Sequence, residues 1–278
     1  MSRAKRAVRS LLVGLGFSVG DAVVVHNSNK LALRVLPCDV FARVALVGQE
    51  VAASEVALAR CLSAGGSPVA ALEPRVDPRV YQCDGFAITF WTYYLAASDD
   101  GIPPADYANA LRRLHAGMRE VTTETPHFRD RVAEADRLVA NRDQTPGLAD
   151  ADRALLRATL GSALRTIEHR GATEQVLHGE PHPGNVLNTS RGPLFIDLET
   201  CCRGPIEFDL AHVPDEVSAH YQGTNPELLH ECRRLVLAMV AAWRWDARDE
   251  FPNGRQAGKD ILAVLRQGPP WPTLDLLP

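Results

Sequence analysis

Three oxygen-bearing side chains in one short segment of the 278-residue chain have the types and spacing for metal and proton chemistry. The segment, Val176 to Thr200, reads VLHGEPHPGNVLNTSRGPLFIDLET. Glu180 follows His178-Gly179 at the end of one apolar run, with Asn185 further along the same loop. Asp197 ends a second apolar run, Leu194-Phe195-Ile196. Apolar runs of about three or four residues bounded by Pro, Gly and Asn predict a short buried hairpin. Strands over Gln175–Leu177 and Leu194–Ile196, with a turn at Thr189–Gly192, would bring the three polar groups near one another. One amide and two carboxylates are hard oxygen donors, the kind Mg²⁺ takes before completing its octahedron with water and phosphate.

The elements that must position these groups divide the chain. An antiparallel sheet is expected over Asp21–Val47: a strand at Ala22–His26, a turn at Asn27-Ser28-Asn29, a strand at Lys30–Leu36 stopped by Pro37, and a third strand at Val40–Val47. A helix follows over Gln49–Ala64, closed by Gly65-Gly66. Val51, Glu55, Leu58 and Leu62 share one face of it, so Glu55 sits in an apolar stripe. A carboxylate there is expensive unless paired; Arg43 on the third strand is the candidate partner, and snorkelling at the stripe's edge is the alternative. Asp84-Gly85 is a strong hairpin dipeptide between Tyr81–Cys83 and Phe86–Tyr93. Beyond Pro103-Pro104 the periodicity is helical over 105–118, 128–140, 149–170, 206–221, 226–246 and 255–267, with Asn225 as an N-cap.

Bulk properties narrow the function classes. A chain that is 46% apolar and 23% charged is long enough for one large domain or two lobes. Its net charge of −4 gives no reason to expect a nucleic-acid partner. The six cysteines lack C-x-x-C or framework spacing, which predicts reduced thiols in a cytoplasmic protein. Arg3, Lys5, Arg6 and Arg9 precede LLVGLGFSVG, a stretch broken by glycines and read as a basic first helix on the small lobe rather than a signal peptide. No run approaches the ~20 apolar residues of a membrane span.

H-G-E-x-x-x-x-N followed by I-D-L-E resembles the catalytic and metal loops of the aminoglycoside phosphotransferases, small-molecule kinases with a protein-kinase-like fold. The resemblance runs from about Asp21 to His212. It implies an α+β, two-lobed fold: a small antiparallel β lobe at 1–94 that binds nucleotide, a larger mainly helical lobe at 95–278, and a cleft between them. It implies Glu180 as the acid that takes the acceptor's proton, Asn185 and Asp197 as ligands of Mg²⁺, Arg43 on the ATP phosphates and Glu55 orienting it. The hinge falls at about Trp91–Leu95, where adenine would pair with backbone beside Trp91 and Tyr93. Asp209, in Glu207–Ala211, matches a position that braces the catalytic loop, and His178 is expected to brace it too. His182 is open between substrate contact and plain loop residue, and Glu199 between ligand and turn acid. The implied activity is ATP-dependent phosphorylation of a hydroxyl on an unidentified small molecule in the cytoplasm.

The chain departs from the family's usual pattern at Glu180, which stands where Asp is usual. His26–Lys30 (HNSNK) also lacks the glycines of a protein-kinase phosphate loop, a signature that aminoglycoside-type kinases often lack too. A catalytically weak, nucleotide-binding kinase-like protein is therefore the rival reading. H-x-E also begins a zinc-deaminase signature, but Cys201-Cys202 cannot supply the P-C-x-x-C that completes it. Asp215, Glu216, Glu227 and Glu231 are interspersed with Arg233 and Arg234, so no acidic cluster suited to a polycationic antibiotic stands out.

Overall fold

The structure, a computed structural model, describes residues 2–27, 30–48, 51–97 and 101–276. The chain forms two compact units, Met1–Ile102 with Glu120–Thr123 and Val186–Glu199, and Pro103–Arg119 with Glu124–Asn185 and Thr200–Pro278.

The first unit carries a five-stranded antiparallel sheet built from β1 (Val19–Asn27), β2 (Leu31–Pro37), β3 (Val40–Leu46), β4 (Tyr81–Cys83) and β5 (Phe86–Thr92), in the order β1-β2-β3-β5-β4. Asp84 and Gly85 both take left-handed backbone, at φ 51° and 81°, as a tight two-residue hairpin turn requires. Helix α1 (Ser2–Gly14) buries Ala4, Ala7, Val8 and Leu12 in one core with Leu33, Val35, Ala42 and Ile88. Its arginines stay outside that contact, as expected of a basic first helix. Helix α2 (Val51–Ala64) buries Glu55 alongside Val56, Leu58 and Leu62. The expected turn residues Ser28 and Asn29, the start of the α2 expectation at Gln49, and Ser98 lie outside the described residues.

The second unit is mainly helical: α3 (Pro104–Met118), α4 (Phe128–Ala140), α5 (Asp150–His169), α6 (Ile206–Leu210), α7 (Asp215–Ala219), α8 (Pro226–Arg244) and α9 (Gly254–Gln267). Its core gathers Phe128, Leu156, Leu160, Phe208, Leu235, Met239 and Ile261. Asn225 caps α8, its Oδ1 accepting from the amides of Glu227 and Leu228 at 3.1 and 3.2 Å.

Two local expectations are corrected. The run at Gln175–Leu177, in β6 (Glu174–Leu177), does not pair with the strand before Asp197. It pairs with β9 (Cys202–Pro205), while β7 (Val186–Thr189) and β8 (Gly192–Phe195) form the hairpin. Alternation fixes which face a strand buries but not which neighbour it takes. The single helix expected over 206–221 is two short ones, because Pro214 holds extended backbone at ψ 152° and starts a new helix at Asp215.

Candidate active site

In the first unit five charged side chains converge. Arg43 projects from β3, and its Nη1 meets Glu55 Oε1 on α2. Its Nη2 reaches Asp197 Oδ1 at 3.0 Å and Glu199 Oε1 at 3.1 Å. Lys30, just before β2, pairs with Glu199 and lies 4.0 Å from Glu55 Oε2. Glu55 is 1% exposed, so its carboxylate depends on the cations that answer it, Arg43 first and Lys30 second. Burial pushes the pKa of Glu55 up, with Arg43 and Lys30 pulling against it. Burial also works against the charge of Arg43, but Glu55 and Asp197 outweigh it and its pKa rises. Lys30 moves down, through burial first and the like charge of Arg43 second.

The β7–β8 hairpin places Asp197 and Glu199 in this cluster. Phe195, fully buried, bonds both ways to the segment after α2: its N–H donates to the Pro68 carbonyl at 2.8 Å and its carbonyl accepts from Ala70 at 2.9 Å. Two residues on, Asp197 takes φ 64°, left-handed backbone that an L-residue adopts at a cost of about 1–3 kcal/mol and that gathers at functional sites. Carboxylate oxygens of Glu55, Asp197 and Glu199 lie within 4.8 Å of one another. Asp197 and Glu199 are hard oxygen donors on the less buried side, and that donor chemistry fits Mg²⁺. Trp91 is buried in β5 with its indole N–H donating to Thr89 Oγ1 at 2.9 Å. Tyr93 carries the Arg34 guanidinium 4.0 Å above its ring.

In the second unit the loop after β6 hangs on Asp209. That fully buried carboxylate accepts from the amides of His178 and Gly179 at 2.9 and 2.8 Å and from His115 Nε2 at 2.9 Å. His115 Nδ1 in turn lies 2.7 Å from the Tyr221 hydroxyl. Burial would raise the pKa of Asp209, but these donors outweigh it and hold it low. Tyr107 donates to the Pro181 carbonyl, fixing the loop's middle to α3. Gly179 has φ 90°, and a Cβ there would stand 2.0 Å from the Thr200 carbonyl oxygen, so only glycine fits.

Glu180 pairs with Arg131 of α4, whose other nitrogen donates to the Gly179 carbonyl at 3.2 Å. The Arg131 guanidinium lies 5.2 Å over the Trp243 ring, which fixes its plane. Burial would raise the pKa of Glu180, but Arg131, with His212 and His182 adding, holds it below the usual value. Asn185 Nδ2 donates to the Glu180 carbonyl at 3.0 Å, so its amide oxygen is the end left to act as a ligand.

The sequence reading did not select Lys30, Arg131, His115 or Tyr221. Arg131 carried one signal: it sits a helical turn from Ala135, beside the buried stripe of Phe128, Val132 and Val139. Lys30 carried none beyond its place after a turn.

The phosphotransferase enzyme family matches residues 38–256. No curated protein sequence matches the chain. Among solved structures, a choline/ethanolamine kinase family protein from Mesorhizobium loti is 17% identical, with 97% of this chain and 95% of that one covered at a TM-score of 0.70. Amicoumacin kinase hAmiN, in complex with AMP-PNP, Ca²⁺ and Ami, is 10% identical over 98% and 96%, at 0.71. Aminoglycoside 2′-phosphotransferase-IIIa, in its GDP complex, is 15% identical over 95% and 98%, at 0.65. At such identities the likeness is one of fold: a five-stranded antiparallel sheet and a helical part, as in protein kinases. With most of its length matched by the family model, the chain belongs to the phosphotransferase enzyme family, and the aminoglycoside phosphotransferases are among the proteins it is similar to.

Proposed function

We propose that the protein is a cytoplasmic kinase that moves the γ-phosphoryl group of ATP to a hydroxyl of a small molecule. The observation that carries this reading is Arg43 held between Glu55 on one side and Asp197 and Glu199 on the other. A guanidinium fixed by a buried carboxylate presents its fork to phosphate oxygens, a geometry suited to two parallel hydrogen bonds. Asp197, with Glu199 beside it, would hold Mg²⁺, and Asn185 would be the second ligand. An ion held there would supply positive charge against the transferring γ-phosphoryl group. The acceptor oxygen forms its bond to the γ-phosphorus as the bond to the ADP oxygen breaks, and the hydroxyl proton passes to the Glu180 carboxylate. Arg131 keeps that carboxylate ionised and therefore able to accept. Trp91 and Tyr93 would flank the adenine at the end of β5.

The described relatives are named for choline, amicoumacin and aminoglycosides, and two of the complexes contain AMP-PNP or GDP, which supports a small acceptor and a nucleotide donor. The acidic groups of the helical unit argue against a polycation. Asp215 is paired with Arg233 at 2.5 Å, Glu231 with Arg234 at 2.6 Å, and Glu227 with Arg170. A free cationic antibiotic would have to compete with those arginines. The cytoplasmic assignment rests on six cysteines outside any disulfide and on the lack, among the described residues, of a helix long and apolar enough to cross a membrane.

The test is Asp197→Ala, assayed by calorimetric titration with ATP in the presence and absence of Mg²⁺ and by phosphate transfer to a library of hydroxyl compounds. Magnesium-dependent nucleotide binding and turnover should both be lost. Unchanged values would remove Asp197 from the site and the kinase reading with it.

A further inference from the structure

Glu199 is engaged twice. Lys30 pairs with it, and Arg43 Nη2 donates to the same Oε1 at 3.1 Å. Asp197, by contrast, is met by Arg43 alone among the described cations. The Lys30 side chain is only 11% exposed, so its ammonium has given up most of its water and depends on Glu199, with Glu55 at 4.0 Å, for compensation. Three carboxylates therefore face two cations in one cluster, closed on itself. A divalent ion that takes Glu199 must first displace the ammonium. An ammonium so displaced, beside the like charge of Arg43, needs another anion at once, and nucleotide phosphate oxygens supply one.

We propose that Lys30 is a second phosphate-binding cation that occupies Glu199 when no nucleotide is bound, so that divalent ion and nucleotide enter as a couple. The inference rests on the kinase reading above. Lys30 stands immediately before β2, at the end of a His26–Lys30 segment without glycine, and a long flexible ammonium there does by charge what backbone amides do in a glycine-rich phosphate loop. The metal alone is held off by the ion pair, and the nucleotide, by drawing Lys30 away, opens Glu199 to it.

The experiment measures two affinities in wild type, Lys30→Met and Lys30→Arg: Mn²⁺ alone by electron paramagnetic resonance, and Mg·ATP by calorimetry. In Lys30→Met, Mn²⁺ alone should bind about tenfold tighter and Mg·ATP about tenfold weaker, the range for one charge-assisted contact. Lys30→Arg, which keeps the charge, should stay near wild type and shows that the position tolerates change. In a Glu199→Gln background the gain in Mn²⁺ affinity on removing Lys30 should vanish. A Lys30 that only supports the fold would weaken both affinities together, and that result overturns the proposal. So does unchanged Mg·ATP binding in Lys30→Met while wild type binds nucleotide, an outcome that leaves the kinase reading standing. Wild type that binds no Mg·ATP overturns both.

Discussion

Arg131 grips Glu180 through one nitrogen and the Gly179 carbonyl through another. A glutamate is one methylene longer than the family's usual aspartate, and a misplacement of ~1 Å in a reacting group costs on the order of a hundredfold. The guanidinium, itself seated on Trp243, gives the longer side chain a fixed end point. Arg131→Met should therefore lower kcat by about 10² while nucleotide affinity stays within a few-fold of wild type; equal losses in both would mean that α4 had merely shifted. Glu180→Gln keeps the shape and removes the proposed proton acceptor, so turnover should fall by about 10² or more with nucleotide binding retained. Glu180→Asp shortens the group away from its anchor and should also slow the reaction, whereas a faster enzyme would mark Glu180 as a degraded aspartate. Since Glu180 is held below the usual carboxylate range, the acid limb of kcat/KM should lie below the ~4.3 of a free glutamate. That Glu55 needs a partner was legible in the sequence because a charge in an apolar stripe demands one, and the family resemblance pointed to Arg43. Arg131 with Glu180 was not: the two are 49 positions apart, and a place at the edge of α4's apolar stripe names no partner.

At the scale of elements, what the sequence displayed best was periodicity and punctuation. Asp84-Gly85 announced its hairpin, Asn225-Pro226 its helix start, and the five longest helices of the second unit fall where apolar spacing put them. Pairing partners were hidden, since β6 is as apolar as β8 and nothing local tells either which strand to join. His178-Gly179-Glu180 was read for its chemistry, yet Gly179 does as much for the backbone. With φ 90° and the Thr200 carbonyl only 2.0 Å from where a Cβ would stand, the loop cannot keep its course around any side chain. Gly179→Ala should cost at least about 1–3 kcal/mol in denaturant unfolding and displace Glu180 as well. A variant of wild-type stability would show that the loop has a second conformation open to it.

For the molecule as a whole, His212 sets a pH dependence. It is buried, its Nδ1 donates to the Phe208 carbonyl at 2.9 Å, and burial pushes its pKa down to about 4. The unfolded chain takes up that proton near the ordinary value of ~6.5, so between 6.5 and 4 the unfolded state binds more protons and stability falls with pH, by up to roughly 3 kcal/mol. Thermal melts across that window should show the decline, and His212→Asn, which keeps the donor and cannot titrate, should flatten it. The fold class was legible from the strand-rich start and helical remainder, but not the ownership of Val186–Glu199, which follows the second unit's loop in sequence and belongs to the first unit in space. Phe195 caps Pro68 and Ala70, and Asn188 accepts from Ala97 through its carbonyl and donates to Gly101 through its side chain. A ribosome making this chain must therefore add about a hundred residues after Ile102 before the first unit has all its strands and its acidic residues. Until then Arg43, Glu55 and Lys30 have only one another, three charges in a cluster that still lacks Asp197 and Glu199.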